Sequence, residues 1–311
     1  MGSHLAERLL AQGDTVSVLD DLSTGQMSNL DFAKSHPRFS YRIGSVLDKP
    51  LVAELVDRAD FVVHFAAAVG VKLIVERPVH TIETNVHGAD TVLICVAKKS
   101  KPVIIASTSE VYGKGLKIPF EEDDDLTFGA TRHSRWAYAC SKALDEWLAL
   151  AYYREKNVPA TVCRFFNTVG PRQTGRYGMV LPNFAAQAVR NEPIRVFGTG
   201  EQSRCFSHVK DILECVIKLM HTPNIAGEVF NIGADHEISI NALAELVRKV
   251  AASRSEIVHI PYEEAYAEGF EDMQRRVPNC AKLIRAIGSA PSTPIEQIVT
   301  DVVNEQRQLL G

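Results

Sequence analysis

A tyrosine and a lysine four residues apart, Tyr138 and Lys142, form the pair of side chains in this sequence best suited to proton transfer. Residues at this spacing share one face of a helix, so the phenol and the ammonium can point into the same pocket. A nearby cation favours the phenolate and lowers a tyrosine pKa from about 10, which makes Tyr138 a candidate general base. The same spacing is common on helix surfaces, so the surroundings of the pair must decide between the two readings.

Hydroxyl and carboxylate groups cluster upstream, in the run Ser-Thr-Ser-Glu-Val-Tyr-Gly at 107–113, which follows the apolar residues 103–106. Thr108 or Ser109, at the end of a buried strand, could hold the substrate hydroxyl that Tyr138 deprotonates. The alternative is that these hydroxyl groups cap the next helical turn. Glu110 has a similar alternative role, since it could bond backbone groups near the strand end.

The pattern around these residues predicts strands that alternate with helices. Strands are expected at 15–20, 38–43, 61–65 and 103–106, and helices at 3–12, 51–57, 81–99 and 138–154. The strands are apolar on both faces, which is typical of a parallel sheet covered by helices on two sides. Ligands bind such sheets at the carboxyl ends of the strands, where Asp20, Ala66 and Thr108 are expected.

The start of the sequence fits a dinucleotide-binding fold only in part. An acid that ends the second strand of such a fold bonds the adenosine ribose, and Asp20 suits that role. The first strand and most of the glycine-rich turn are absent, and Gly2 stands where the last glycine of the turn would be. We therefore expect an N-terminally truncated α/β fold, with a cloning scar at residues 1–4 as the alternative source of these residues.

Composition limits the classes of partner. The chain has 311 residues and a net charge of −4, which gives no sign of a nucleic-acid or anionic-membrane surface. It has no apolar run of membrane-spanning length and no signal-peptide core, so we expect a cytoplasmic protein. The six cysteines form no Cys-x-x-Cys pair, and the acidic run at 121–125 lacks metal-binding spacing, so we expect no metal. His64 is interpreted as a core residue.

Four ordered motifs resemble the extended short-chain dehydrogenase/reductases, and more narrowly the nucleotide-sugar epimerases, dehydratases and decarboxylases. They are residues 107–113, Tyr138-x-x-x-Lys142, Arg-Phe-Phe-Asn-Thr-Val-Gly-Pro-Arg at 164–172 and Gly-Thr-Gly-Glu-Gln-Ser-Arg at 198–204. The resemblance covers nearly the whole chain. It implies a Rossmann-type doubly wound parallel sheet without its first strand, a smaller α/β substrate lobe, and a tightly bound NAD.

The resemblance also implies roles by position. Tyr138 is the base, Lys142 tunes it and binds ribose, and Thr108 bonds the sugar O4, with Ser109 and Glu110 beside it. The implied cofactor-binding residues are Gly2, Asp20, Asp48, Ala66, Ala67, Asn85, Tyr138 and Lys142. The implied ligands of a nucleotide-diphosphate sugar are Asn167, Arg172, Arg176, Arg204 and Arg275, since guanidinium groups suit phosphate oxygens.

The pair Ser109-Glu110 favours one reaction over its relatives. Family dehydratases usually carry Asp-Glu at these positions, whereas Ser-Glu resembles the UDP-glucuronate decarboxylases, which form UDP-xylose. In those enzymes a 4-keto group makes the C5 carboxylate a β-keto acid that loses carbon dioxide. A UDP-hexose 4-epimerase is the alternative enzyme. A dinucleotide or nucleotide-sugar binding protein without catalysis is the alternative of another class, motivated by the absent glycine turn.

The organisation implied is an NAD-binding domain over residues 1–166, to which some later residues return, and a mainly nucleotide-sugar-binding lobe over 167–311. The helix at 138–154 has a wide apolar face that includes Leu144, Trp147 and Leu148. Such a face either packs within one chain or meets a second copy. Because the family commonly pairs this helix across a two-fold axis, we expect a homodimer.

Overall fold

The computed structural model of the chain describes residues 1–115, 117–175, 179–265 and 273–310. The first half alternates helices and strands as the sequence predicts. Its elements are α1 Gly2–Gln12, β1 Val16–Asp20, β2 Phe39–Ile43, α2 Lys49–Arg58, β3 Val62–His64, α3 Val71–Glu76, α4 Pro78–Ala97, β4 Val103–Thr108, α5 Arg135–Lys156 and β5 Ala160–Phe165. Short 3-10 turns cover Met27–Leu30 and Ser109–Tyr112.

The second half has shorter strands. Its elements are β6 Thr168–Val169, α6 Val180–Val189, β7 Ile194–Phe197, β8 Ser203–Cys205, β9 Ser207–His208, α7 Val209–Met220, β10 Val229–Ile232, β11 Glu237–Ser239, α8 Ile240–Ala251, β12 Ile257–Ile260, α9 Tyr262–Ala265, α10 Ala281–Ile287 and α11 Ile295–Leu310. Within the described part of the chain, no helix has the length and apolarity that crossing a membrane requires.

The main sheet is parallel throughout. Its four strands run in the order β10-β5-β4-β3, and β1 and β2 form a separate parallel pair. No ladder joins the two sheets within the described ranges. The carboxyl ends of β1, β3 and β4 carry Asp20, Ala66 and Thr108 at or just beyond them, which confirms the predicted placement of these residues.

Helices cover the main sheet on both faces. The alternating side chains of β4 show this directly, because Val103 and Ile105 pack with α2, α4 and α5, while Ile104 packs with α7 and α10. All three side chains are at most 1% exposed, and burying each contributes about 1.5–3 kcal/mol relative to exposure. A doubly wound α/β fold follows from this two-sided burial, as the sequence predicts.

The chain after β5 builds a second core and then returns to the first. Helices α6, α8 and α11 pack around one apolar cluster with β7. By contrast, β10 lies beside β5 in the main sheet, with Phe230 opposite Cys163. The expected division into two domains, with its boundary between residues 166 and 167, stays a prediction.

A buried ion pair fixes α5 to the main sheet. Glu146 on α5 accepts hydrogen bonds from Arg164 on β5, at 2.9 Å from Nε and 2.7 Å from Nη2. Ser107 on β4 donates to the same carboxylate. At its other end α5 begins at Arg135, three residues before the predicted start, so Arg135 belongs to the turn that precedes Tyr138. Together these contacts set where Tyr138 and Lys142 lie relative to the end of β4.

Asp48 begins α2 as its N-cap and offers a test of local stability. Its carboxylate accepts the backbone N–H of Leu51 at 3.1 Å, which satisfies one of the free donors of the first helical turn. We expect Asp48→Ala to lower the free energy of unfolding by about 1 kcal/mol, as measured by urea denaturation. Asp48→Ser is the control, because a serine hydroxyl can cap the same N–H. Equal losses in the two variants would contradict this capping role.

Candidate active site

The predicted catalytic residues meet at the end of β4. The hydroxyl group of Thr108 is close enough to the phenol of Tyr138 to act on its pKa. Thr108 Oγ1 also accepts the backbone N–H of Glu110 at 3.3 Å and so caps the 3-10 turn Ser109–Tyr112. The candidate base and the candidate substrate-holding hydroxyl are therefore close together, although they are 30 positions apart in sequence.

The pKa of Tyr138 shifts in the opposite direction to the one predicted. Burial raises it well above the usual value of 10, and the negative charge of Glu110 raises it further. The hydroxyl of Thr108 and the charge of Arg135 act in the lowering direction but do not prevail. The predicted lowering of this pKa by Lys142 is therefore not found in the protein without its ligands. A helical spacing indicates that a cation is near, but not how strongly burial opposes the charged phenolate.

Lys142 is turned to a different partner. Its ammonium donates to the carboxylate of Asp145 on the same helix, with 2.6 Å between Nζ and Oδ2. The side chains of both residues are at most 3% exposed. The sequence reading of the Tyr138–Lys142 pair missed Asp145, although its spacing of three from Lys142 on a helix was a usable signal.

Glu110 lies between two arginines. Arg135, from the first turn of α5, donates to Oε2 of Glu110, and Arg276 donates to Oε1 at 3.2 Å. Despite the opposing effect of burial, which is the largest single influence, the charges of these arginines and of Arg204 lower the pKa of Glu110 to about 2. Glu110 is therefore an anchored carboxylate, which excludes it as a proton donor near neutral pH. The alternative that it only bonds backbone groups does not hold.

The arginines predicted to bind substrate are dispersed. Arg204 is buried near Glu110 and donates to the backbone oxygen of Ser203 at 2.8 Å. Arg275 instead forms an exposed ion pair with Glu237. The adjacent Arg276 points inward, and only the three-dimensional structure distinguishes these neighbours. In the sequence, Arg276 counts among the arginines that together suggest an anionic ligand, but no pattern assigns Arg135 to this site.

Two further predicted substrate residues are bonded to groups other than Glu110. Arg172 pairs with Glu7 of α1 at 2.8 Å, and its backbone N–H donates to Glu305 of α11. Asn167 donates to the backbone oxygen of Cys205 at 3.1 Å, so it joins the start of the second core to β8. Arg176 lies outside the described residues. The substrate roles of these residues remain predictions.

The predicted cofactor residues lie along the carboxyl edge of the sheets. Asp20 ends β1, and its Oδ1 accepts the N–H of Leu22 at 2.7 Å. Asn85 of α4 is buried and holds the loop after β3, because it bonds both the backbone N–H and the backbone oxygen of Ala68. The small residues Ala66 and Ala67 come directly before this anchored position. Asn85 also donates to Ser141 of α5 at 3.0 Å, which ties this loop to the helix of Tyr138.

Gly2 occupies the first turn of α1, and a Cβ placed there would meet no atom within 4 Å. The nearby Met1 amino group has a pKa lowered to about 6, by burial and by the charge of Arg172, while Asp20 acts against this shift. The start of α1, Arg172 and Asp20 are therefore neighbours. A helix N-terminus beside an arginine suits the phosphates of a dinucleotide.

In the part of the chain that the structure describes, two buried polar atoms without hydrogen-bond partners lie near Lys142. Within the described chain, His64 Nε2 and Asp145 Oδ1 have no hydrogen-bond partner, and both residues adjoin Lys142. Burial lowers the pKa of His64 to about 3, so the ring is neutral. His64 is a core residue as predicted. The small residues, the acid at the strand end and the unsatisfied polar atoms together fit a nicotinamide dinucleotide.

Ser109 is buried and 1% exposed, one position after Thr108. It starts the 3-10 turn whose next residue is Glu110. Its catalytic role stays a prediction.

Comparisons with known proteins identify the family to which this chain belongs. The model of the NAD dependent epimerase/dehydratase family matches residues 1–233. The UDP-N-acetyl-α-D-glucosaminuronate decarboxylase of Bacillus cytotoxicus is 39% identical over 99% of this chain and 95% of its own length. UDP-glucuronic acid decarboxylase 2 of Arabidopsis thaliana is 32% identical over 99% of this chain and 66% of its own length.

Among solved structures, the UDP-glucose 4-epimerase of Thermotoga maritima with UDP-glucose superimposes with a TM-score of 0.89. It is 26% identical and covers 100% of this chain and 96% of its own. The family model spans well over half of this chain, and both enzyme relatives match nearly its whole length. The chain belongs to the NAD dependent epimerase/dehydratase family.

Proposed function

We propose that this protein is an NAD-dependent decarboxylase of UDP-linked uronic acids, with UDP-glucuronate as the reference substrate and UDP-xylose as its product. The observation that carries the proposal is the buried cluster of three arginines around one carboxylate. Arg135 and Arg276 donate to Glu110, and the charge of Arg204 also acts on it, so three guanidinium groups are gathered at one place beside Tyr138. Guanidinium groups suit a substrate that carries a carboxylate and a diphosphate.

The reaction starts at the C4 hydroxyl of the sugar. In this proposal Thr108 would hold the hydroxyl and Tyr138 would take its proton. NAD, when bound, would supply the redox chemistry, as acceptor and later donor of the hydride of C4. Oxidation turns C4 into a ketone, so the carboxylate on C5 is that of a β-keto acid. The C5–C6 bond then breaks with release of carbon dioxide, and its electron pair remains on the sugar until C5 is protonated. Return of the hydride to C4 completes the pentose.

In this proposal the residues of this chain position the substrate and complement its negative charge. Tyr138 must lose a proton from a buried site, which its raised pKa opposes in the protein without ligands. The cationic nicotinamide ring and a released Lys142 would both favour the phenolate. Glu110 holds Arg135 and Arg276 in fixed directions, and such preorganised cations cost no reorganisation when the charge on the substrate shifts.

Purified protein with added NAD can test this proposal against three substrates. We expect UDP-glucuronate or UDP-N-acetylglucosaminuronate to yield a product one carbon shorter, detected by mass spectrometry, and UDP-glucose to remain unchanged. The family relatives named above decarboxylate one or the other of these uronates by their names. Binding of a uronate without conversion would instead favour a protein that binds nucleotide sugars without catalysis.

A UDP-hexose 4-epimerase is the second candidate, favoured by the close structural match to the Thermotoga maritima enzyme. It would use the same Thr108 and Tyr138 chemistry to form the 4-keto sugar. The hydride would then return to the opposite face of C4, without loss of carbon dioxide. Conversion of UDP-glucose to UDP-galactose, with both uronates unchanged, would select this candidate.

A homodimer is also part of the proposal. Cys140, Leu144 and Trp147 lie on α5 at helical spacing and are exposed, and Val79 and Ile82 are exposed on the packed neighbour α4. An apolar surface shared by two helices favours burial against a second copy. We place this enzyme in the cytoplasm, where reduced thiols match its six free cysteines.

Substitution of Trp147 by glutamate tests the proposed dimer interface. Trp147 is 57% exposed, so a charge at this position should leave the folded monomer stable. Burying the same charge between two copies would be unfavourable, and the variant should be monomeric at concentrations where the parent protein is dimeric. Sedimentation velocity measures this, with Tyr153→Glu at the end of the same helix as control. A Trp147→Glu variant that sediments like the parent dimer would contradict this interface.

A further inference from the structure

Asp145 is a buried carboxylate that the mechanism above does not use. It lies on α5 one turn after Lys142, and its side chain is 0% exposed. Its Oδ2 accepts the Lys142 ammonium at 2.6 Å, and its Oδ1 has no partner within the described residues. A fully buried carboxylate with one bonded and one unbonded oxygen depends on that single cation for its charge.

The same cation is required elsewhere in the proposed function. To bind a ribose and to favour the Tyr138 phenolate, the Lys142 ammonium must act away from Asp145. Moving the ammonium towards those groups weakens its contact with Asp145, because its three donors sit on a single nitrogen at the end of one side chain. Removal of Lys142 would leave Asp145 as an isolated buried anion. Neutralisation by a proton is the usual outcome for such a group.

The charged groups that face this pair do not compensate for the loss. Glu146, the next residue on α5, is held by Arg164 of β5 and adds repulsion to Asp145. His64 of β3 faces Lys142, and its pKa of about 3 keeps it neutral. Tyr138 has a raised pKa and is neutral near pH 7.

Three further elements pack against α5. Helix α3 contributes the buried Leu73 and Ile74 and leaves Glu76 exposed. Helix α4 contributes Asn85, which bonds Ser141 of α5. The 3-10 turn after β4 contributes Glu110, whose charge is held by Arg135 and Arg276. Burial, opposed mainly by the charge of Lys142, raises the pKa of Asp145 to about 6. Asp145 is therefore the group of this cluster that titrates nearest to neutral pH.

We propose that Asp145 is a positioning residue that holds Lys142 in a resting state and takes up a proton when NAD draws Lys142 away. The inference rests on the proposed use of NAD. It makes cofactor binding compete with an internal ion pair, so that the affinity for NAD depends on pH through one carboxylate.

The sign of the dependence follows from linkage. Lys142 acts to lower the pKa of Asp145 in the resting protein, so the pKa must rise when Lys142 leaves. The complex then binds one proton more than the free protein at pH values between these two pKa values. Raising the pH above about 6 should therefore weaken NAD binding, by up to about tenfold per pH unit, until the pKa of the complex is reached.

Calorimetric titration of the whole protein with NAD tests this directly. At pH 7, titrations in buffers of different ionisation enthalpy should show net uptake of up to one proton per NAD bound. The Kd of the parent protein should rise between pH 6 and pH 8. Asp145→Asn should remove both the proton uptake and the pH dependence, and should bind NAD more tightly than the parent at pH 8.

Glu155→Gln is the matched control, because Glu155 is an exposed acid on the same helix. It should retain the proton uptake and pH dependence of the parent. The inference is overturned if the parent takes up no proton, if Asp145→Asn keeps the same pH dependence, or if it binds NAD more weakly at pH 8. If Asp145→Asn does not fold, the proton uptake of the parent decides alone.

The inference and the proposed function fail in different ways. Proton-linked NAD binding without conversion of any uronate would overturn the decarboxylase and leave the role of Asp145 intact. Uronate decarboxylation with proton-independent NAD binding would do the reverse. Absence of NAD binding under all conditions would overturn both.

Discussion

Phenylalanine in place of Tyr138 should lower kcat for a UDP-uronate by about 10²–10⁴-fold, the usual contribution of a positioned general base. The substitution removes only the phenol hydroxyl and leaves the buried ring in place. Even the loss of a hydrogen bond would cost only about 1 kcal/mol of stability, too little to unfold the protein. Binding of the nucleotide sugar should remain close to that of the parent.

Initial rates, together with nucleotide-sugar binding by calorimetry, measure these two effects separately. Tyr153→Phe is the matched control, since it makes the same chemical change in the last turn of α5, where the tyrosine is 39% exposed. It should have parental activity. A Tyr138→Phe variant with rates close to those of the parent would exclude Tyr138 as the base.

Glu110→Gln should lower kcat by about 10²–10³-fold, as expected when a preorganised charged group is removed from a site. The neutral amide removes the negative charge that Arg135 and Arg276 share, so it holds both guanidinium groups less firmly. It also raises the positive charge of the site by one, which should maintain or strengthen binding of an anionic uronate. We therefore expect the loss to appear in kcat and not in KM. Altered packing alone would not produce this separation.

Stability should respond to the same substitution in a pH-dependent way. Removing one member of a buried ion pair typically costs about 3–5 kcal/mol. The pKa of Glu110 falls from 4.5 to about 2 on folding, so its stabilisation is present above pH 4.5 and is lost as the pH falls towards 2. The difference in free energy of unfolding between the parent and Glu110→Gln should shrink across this interval.

Urea denaturation at several pH values, followed by circular dichroism, measures this difference. Glu121→Gln is the control, because Glu121 is an exposed acid in a surface pair with Lys117 and should contribute less than about 1 kcal/mol. A pH-independent difference for Glu110→Gln would show that the Glu110 carboxylate is not the stabilised ion described here.

The parts of the fold set by local pattern could be predicted from the sequence. Apolar runs such as 103–106 identify strands buried on both faces, and Gly13, at a φ of +101°, ends α1 where the sequence places its end. The strand ends then locate Asp20, Ala66 and Thr108 on one edge. The proximity of Thr108 and Tyr138 follows from that edge and from the start of α5.

The long-range partners could not be predicted, because neither spacing nor residue type distinguishes them. Arg276 reaches Glu110 across 166 positions, whereas its neighbour Arg275 points to Glu237 on the surface. The sequence shows that the two arginines are neighbours. It does not show which of them points towards the rest of the protein. A resemblance between motifs assigned a role to Arg275 and could not test which of the two arginines points inward.

The direction of the Tyr138 pKa shift was missed for a different reason. The spacing to Lys142 indicates only that a cation can approach the phenol. It does not reveal that Asp145 competes for the cation, or that burial opposes the phenolate more strongly. Both effects depend on the depth of α5 in the structure, which a helical pattern leaves open.

Release of carbon dioxide from UDP-glucuronate labelled with ¹³C at C6, compared with the labelled 4-deoxy analogue, tests the central claim most directly. The claim is that oxidation at C4 by way of Tyr138 makes the C5–C6 bond breakable. We predict ¹³CO₂ from UDP-glucuronate, in an amount equal to the UDP-xylose formed, and none from the analogue that lacks the C4 hydroxyl. Release of ¹³CO₂ from the 4-deoxy analogue, or full retention of the label in a C4 epimer of UDP-glucuronate, would contradict the claim.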